Sequence, residues 1–228
     1  MRQTCFFLVF LSLQNVLPAQ GFMKGDIVVS ATTGVPHLHK EIMRLNTKTD
    51  AFKNSFHGNP KVISIKGINP LTFKYEYSIS QHFGLGICIG AWSINLKVED
   101  SYDYQKPGFT NLSHTTDTYK YRFSSVSFGI RPNVHFPLQD KKSDLFIGCG
   151  FGLTKNTISI NFTSTSSTIS GYYDGGAKAV LYFAPTLGYR RFLTANVGLN
   201  LEAGYEKGAL LQAGLMFRFR PLKYEPVK

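Results

Sequence analysis

The sequence lacks the features that mark several common protein classes. Its 228 residues include three cysteines, too few for a small secreted scaffold held together by disulfides. Its one long apolar run, residues 5–13, is too short to cross a membrane as a helix. No segment has a convincing amphipathic helical period. What is left is a chain whose dominant pattern is the two-residue alternation of β-strands.

The N-terminus has the pattern of an export signal. Arg2 supplies a positive charge before the apolar run, and Leu17-Pro18-Ala19 precedes an expected cut before Gln20. Residues 1–19 are therefore predicted to be a signal peptide. The mature chain would keep two cysteines, Cys88 and Cys149, and their predicted strand phases put them on opposite faces. We expect both thiols to be unpaired.

Acidic residues are scarce, with 14 Asp and Glu against 25 Lys and Arg, for a net charge of +11. The basic residues are dispersed, so no nucleic-acid partner is expected. For an exported protein the nearer anions are the phosphates of lipopolysaccharide and other outer-membrane lipids. The first long connection is rich in basic residues, and it either meets these phosphates or is an ordinary solvated loop. Those residues are Lys40, Arg44, Lys48, Lys53, Lys61 and Lys66.

Eight segments alternate with a period of two and are predicted to be strands. They cover residues 26–34, 69–80, 83–98, 119–134, 144–160, 178–190, 196–206 and 209–219. The aromatic residues at the start of the fourth, Tyr119, Tyr121 and Phe123, lie in the opposite phase, which predicts a bulge or a loop-end ribbon there. Connections 35–68, 99–118 and 161–177 are long, whereas the others are short. An even strand number with short turns at one end predicts an all-β fold, an eight-stranded antiparallel transmembrane β-barrel in an up-and-down meander.

The less apolar face of these strands combines glycine with charged residues. A solvated outer surface rarely places so much glycine inside strands, whereas a narrow lumen needs small residues beside long ones. We therefore expect a lumen charge network of Lys74, Glu76, Arg131, Arg190, Glu202 and Arg218. The network would have a structural role, or it would form the selectivity ring of a pore. The alternative is a soluble barrel with a polar exterior.

Two segments carry a resemblance to a known family. Residues 69–92 (NPLTFKYEYSISQHFGLGICIGAW) and 214–219 (GLMFRF) resemble small bacterial outer-membrane barrels of the OmpA/OmpX-like porin family. The resemblance implies that Gly214, Phe217 and Phe219 form the insertion signal recognised by the barrel-assembly machinery. The family usually stops at the aromatic, whereas this chain continues. We therefore predict a barrel over residues 20–219 and a periplasmic tail over 220–228, after Pro221 has ended the strand.

Candidate chemistry is sparse. His37 and His39 lie beside Glu41, a spacing that would bind a metal only loosely. His114 lies near Ser113 and Asp117, but three loop residues do not guarantee catalytic geometry. We expect no metal, no cofactor and no enzymatic activity. Aromatic residues near strand ends are expected in interfacial girdles, namely Tyr75, Tyr77, Trp92, Tyr119, Tyr121, Tyr189, Tyr205, Phe217 and Phe219.

The sequence thus favours a monomeric protein of the cell outer membrane with a structural or surface-interaction role. A narrow, non-specific porin-like channel is the main alternative. A lipid-modifying barrel enzyme and a soluble lipocalin-like binding barrel are the less favoured ones.

Overall fold

The computed structural model describes residues 22–105, 111–140, 142–165 and 170–220. The predicted signal peptide and residues 221–228 of the predicted tail lie outside these ranges. The elements are β1 (Ile27–Val35), α1 (Leu38–Asn46), α2 (Asp50–Lys53), β2 (Asn59–Ser78), β3 (Phe83–Gln105), β4 (Leu112–Pro137), β5 (Ser143–Ser164), β6 (Ser170–Phe192), β7 (Val197–Glu206) and β8 (Ala209–Phe219).

The eight strands form one closed antiparallel barrel. Each strand pairs with its neighbours in sequence, and β1 pairs with β8 from Ile27↔Phe219 to Val35↔Leu211. The predicted eight-stranded meander is confirmed. The connections 79–82, 138–142 and 193–196 are short and lie at one end, which we call the lower end. The β7–β8 turn is tight as well, with Lys207 and Gly208 both at positive φ.

The lower half of the barrel is apolar outside and polar inside. Phe73, Ile89, Phe128 and Phe217 are 46–58% exposed on its outer face, whereas Lys74 next to Phe73 is only 5% exposed. We call this outer surface the belt. Such an arrangement belongs to a membrane-spanning barrel and reverses that of a soluble ligand-binding barrel.

The two cysteines of the described residues are free, as predicted. Cys88 is buried on the inner side, and Cys149 is partly exposed. The described residues contain no helix that is both long and apolar enough to span a membrane.

Strands β2 to β6 continue well above the belt, which corrects the predicted long connections at 99–118 and 161–177. Most of these residues belong to tall hairpins, with β3 and β4 paired up to Gln105↔Leu112. In β3 the apolar face changes sides at this level. Ile87 and Ile89 point outward, whereas Ile94, Leu96 and Val98 are buried inside. We call this upper part, with its apolar interior, the collar.

The aromatic residues at the start of β4 belong to the collar interior. The β3–β4 register is continuous through Tyr119, Tyr121 and Phe123, so of the two alternatives the bulge is wrong and the segment continues the hairpin as a ribbon. The opposite phase of these side chains reflects the inward apolar face of the collar. The prediction that Trp92, Tyr119 and Tyr121 belong to an interfacial girdle is therefore wrong too. In keeping with its position in the collar interior, burial raises the pKa of Tyr119 to about 12.

The first connection contains two helices, where the sequence suggested none. Helix α1 is amphipathic and turns Ile42 and Met43 towards the inner wall of the collar. Thr49 caps the short α2 by accepting a hydrogen bond from the Phe52 N–H. We call residues 36–58 the cap. Strands β7, β8 and β1 end lower than β2 to β6, and the cap follows the upper end of β1.

Candidate functional site

Four buried charges cross the middle of the lumen and form the upper ion layer. Lys74 Nζ lies 2.7 Å from Glu202 Oε2 and 2.8 Å from Glu206 Oε2. Arg131 lies on the same two oxygens, at 2.7 and 3.3 Å. Two cations and two anions thus balance, and Gln212 donates to Glu206 at 3.0 Å. Neutrality and hydrogen bonds allow this layer to remain buried.

A second set of charges, the lower ion layer, lies towards the lower end. Glu76 contacts Arg190 through one oxygen and His135 Nε2 through the other, at 2.6 Å. His135 Nδ1 lies 2.6 Å from Asp144 Oδ2. Both ring nitrogens of His135 thus face carboxylate oxygens, and donation from both would satisfy the two contacts. Phe22 stacks on the ring with centroids 3.7 Å apart, closing the lumen beneath the charges.

Arg218 lies apart from both ion layers. It donates to the carbonyl oxygen of Ala195 and stacks over the Phe192 ring at 3.9 Å. Its guanidinium is 3.9 Å from Asp26, which also pairs with Arg220 at 2.9 Å. Of the six residues predicted for the lumen network, the structure brings five into the two layers and places Arg218 in a separate cluster.

Sequence reasoning missed four further residues of the two layers, namely Glu206, His135, Asp144 and Phe22. Glu206 shares the inward phase of Glu202, and His135 shares that of Arg131, so the two-residue period could have found both. Phe22 precedes the first strand, and no pattern in the sequence signals that it folds into the lumen.

At the upper end of the lumen the cap meets Trp92, the single tryptophan of the chain. The His39 ring stacks on Trp92 with centroids 4.7 Å apart, and His37 meets it edge-on at 5.3 Å. The Leu38 N–H donates to the Gly208 carbonyl at 2.8 Å and fixes the cap to the β7–β8 turn.

The two cap histidines do not form a metal site with Glu41. Glu41 instead pairs with Arg44 at 3.0 Å. Within the described ranges there is no cluster of three or more His, Cys, Asp or Glu side chains suited to a metal ion.

Acidification should loosen the cap. Burial, with His39 and Lys40 adding to it, lowers the pKa of His37 from 6.5 to about 4. When the cap is released, the His37 ring titrates at its ordinary pKa. The ratio of docked to released cap is therefore highest above pH 6.5 and falls about tenfold per pH unit between pH 6.5 and about 4. We expect the fluorescence of Trp92 to report this release between pH 7 and 4.

Two variants test the origin of this pH dependence. His37→Gln should flatten most of the fluorescence change, because the side chain no longer titrates. His114→Gln, which alters an exposed histidine of the collar, should leave the change intact. An unaltered profile in His37→Gln would contradict the assignment.

The candidate catalytic residues are not assembled as the sequence suggested. His114 Nδ1 lies 2.7 Å from Asp103 across the hairpin, and both side chains are more than 60% exposed. Asp117 instead accepts a hydrogen bond from the Tyr102 hydroxyl at 3.0 Å. The geometry holds an exposed His–Asp pair at the rim of the collar.

The three residues of the predicted insertion signal lie along β8. Phe217 and Phe219 point outward from the belt, 46% and 58% exposed. Gly214 turns to the interior, where β8 packs closely against Ala31 and Thr32 of β1.

Comparison with solved structures finds small outer-membrane barrels. The chain is similar to the N-terminal β-barrel domain of Pseudomonas aeruginosa OprF, with 13% identity, 87% of this chain and 100% of that chain covered, and a TM-score of 0.40. The chain is also similar to the outer membrane protein OprG from Pseudomonas aeruginosa, with 10% identity, 89% of this chain and 100% of that chain covered, and a TM-score of 0.45. A third similar structure is Ail, the attachment invasion locus protein of Yersinia pestis, with 14% identity, 86% of this chain and 100% of that chain covered, and a TM-score of 0.34.

No protein-family model matches the chain, and no curated protein sequence matches it.

Proposed function

We propose that the protein is a closed outer-membrane barrel whose work is structural and surface-interactive rather than enzymatic. The belt supports the membrane assignment, because an apolar outer face of this extent is stable in lipid and costly in water. The tall collar would stand outside the cell, since the short turns of such barrels face the periplasm.

Closure of the lumen is the observation that carries this proposal. An eight-stranded barrel leaves only enough space inside for side chains. The two ion layers fill that space with charges of both signs, and Arg131, Glu202 and Glu206 are each no more than 4% exposed. Phe22, 1% exposed, closes the lower end. A conducting pore would instead need a hydrated path with weakly held ions.

Conductance in planar bilayers tests the closed barrel against the channel alternative. We expect no steady current from the folded protein, with heat-modifiable gel mobility showing that it is folded and a general porin showing that the bilayer detects channels. Sizeable steady currents from the unaltered chain would overturn the proposal.

A basic surface just above the belt supports contact with lipopolysaccharide. Lys66, Asn95 and Arg122 are cross-strand neighbours on the outer face of the collar. Lys120 lies in the next row, opposite Lys97. Because these cations lie at the level where lipid headgroups meet the belt, we propose that they neutralise lipopolysaccharide phosphates.

Charge removal tests this contact. Replacing Lys66, Lys120 and Arg122 by glutamine should weaken binding to lipopolysaccharide-containing vesicles about tenfold or more and reduce its salt dependence. The matched control replaces Lys40, Lys48 and Lys53 of the cap, which removes the same charge elsewhere. An equal loss in both triple variants would show an effect of net charge alone and contradict the surface proposed.

A further inference from the structure

Two apolar cavities lie end to end above the ion layers. The lower cavity, of about 350 Å³, occupies the barrel mouth. The upper cavity, of about 470 Å³, lies between α1 and the inner wall of the collar. His39, Trp92 and Phe123 line both. Together they have the size and the lining of a site for an elongated apolar ligand.

The lower cavity reaches the outside through the barrel wall. Pairing of β6 with β7 ends at Thr186↔Gly204, whereas β6 continues upward to Ser170. The lining of the cavity includes the outward-facing Leu181 and Tyr205 as well as inward-facing residues. The opening thus lies at the upper edge of the belt, where acyl chains would be within reach.

A cation without an acidic partner lines the same cavity. Lys207 Nζ lies 4.0 Å from Cys88 Sγ and 4.9 Å from the centroid of the Tyr182 ring. Among the described residues no carboxylate lies within 4.0 Å of it. Its stem packs over Gly90. A half-buried ammonium facing an apolar cavity is suited to an anionic headgroup.

We propose that these cavities bind a single-chain carboxylate amphiphile, of the fatty-acid type. Its carboxylate pairs with Lys207, and its chain runs past Trp92 into the upper cavity beneath α1. The ligand enters from the membrane through the opening beside β6. This site goes beyond the structural role proposed above and does not depend on whether the lumen conducts.

The position of Trp92 gives a direct measurement. The folded protein is titrated in lipid nanodiscs with palmitate brominated in mid-chain, and quenching of the single tryptophan is followed. We expect saturable quenching. Lys207→Gln should weaken it roughly ten- to a hundredfold, the effect of losing a charged hydrogen-bond partner. A brominated long-chain alcohol, which carries no charge, should bind the variant and the unaltered chain alike.

Two further variants complete the design. Lys155→Gln removes an exposed lysine of β5 and should leave the affinity for palmitate unchanged. Ser125→Leu adds volume within the lower cavity and should reduce quenching by the acid and the alcohol together.

Three outcomes would overturn the proposal. The first is equal quenching by brominated phospholipid, which would mean that Trp92 contacts bulk lipid. The second is quenching that does not saturate, and the third is an equal loss of palmitate affinity in Lys155→Gln and Lys207→Gln. None of these outcomes alters the conductance result, so this site and the closed barrel fail independently.

Discussion

Replacing Lys74 by methionine is expected to destabilise the folded barrel by about 3–5 kcal/mol, the usual cost of breaking a buried ion pair. Lys74 contacts both Glu202 and Glu206, and its loss leaves two buried carboxylates with Arg131 alone. The uncompensated negative charge, more than the lost contacts, sets this cost. Guanidinium unfolding followed by heat-modifiable gel mobility measures it.

A second substitution separates charge from packing. Lys74→Met combined with Glu206→Gln restores neutrality to the upper ion layer and should recover more than half of the lost stability. Lys97→Met, which breaks a partly exposed pair with Glu99, should cost less than about 1 kcal/mol. If the double variant were no more stable than Lys74→Met, the loss would lie in packing and the electrostatic argument would be wrong.

Gly214→Ala is expected to weaken closure of the barrel between β1 and β8. A Cβ at this position would overlap the carbonyl oxygen of Ala31 and lie 2.6 Å from Thr32 Cα. Backbone atoms cannot move aside as a flexible side chain can, so the two strands must separate. We expect the free energy of unfolding to fall by an amount at the upper end of the range of about 1–3 kcal/mol found for overpacking. Unfolding should also be faster in the same assay.

Gly150→Ala is the matched control for this prediction. Gly150 is also an inward-facing strand glycine, but its Cβ would lie 3.4 Å from Tyr182 and 3.6 Å from Ala184, at ordinary contact distances. Alanine there should be neutral or slightly stabilising, because it restricts the unfolded chain. Equal losses at both positions would show that glycine matters through strand flexibility and not through the close approach of β8 to β1.

The belt could be predicted from the sequence because one physical rule governs it. Lipid outside and charge inside impose a two-residue period, and Phe73 beside Lys74 illustrates it. The same period placed five of the six proposed lumen charges in the ion layers. It could not place Phe22, because the position of Phe22 depends on tertiary packing. It also could not place Arg218, which contacts the carbonyl oxygen of Ala195 and Asp26 instead.

The collar could not be predicted by extending the same rule. Above Trp92 the outer face meets water, so Ile94 and Leu96 turn inward while the period of two continues unchanged. Periodicity gives the faces of a strand but not which face is inside. The aromatic start of β4 carries the signal of this change of faces, but from the sequence alone a bulge or a loop-end ribbon explains it equally well.

The change of faces in β3 and β4 also determines how deep the barrel lies in a bilayer. Sinking by two residues, about 7 Å along the strands, would carry Lys120 and Arg122 towards hydrocarbon, where a lipid-facing cation is destabilising by an amount that grows with depth. Rising by the same distance would expose Phe128 and its neighbours to water. Both displacements raise the free energy, so the change of faces fixes the depth at which the protein sits in the bilayer.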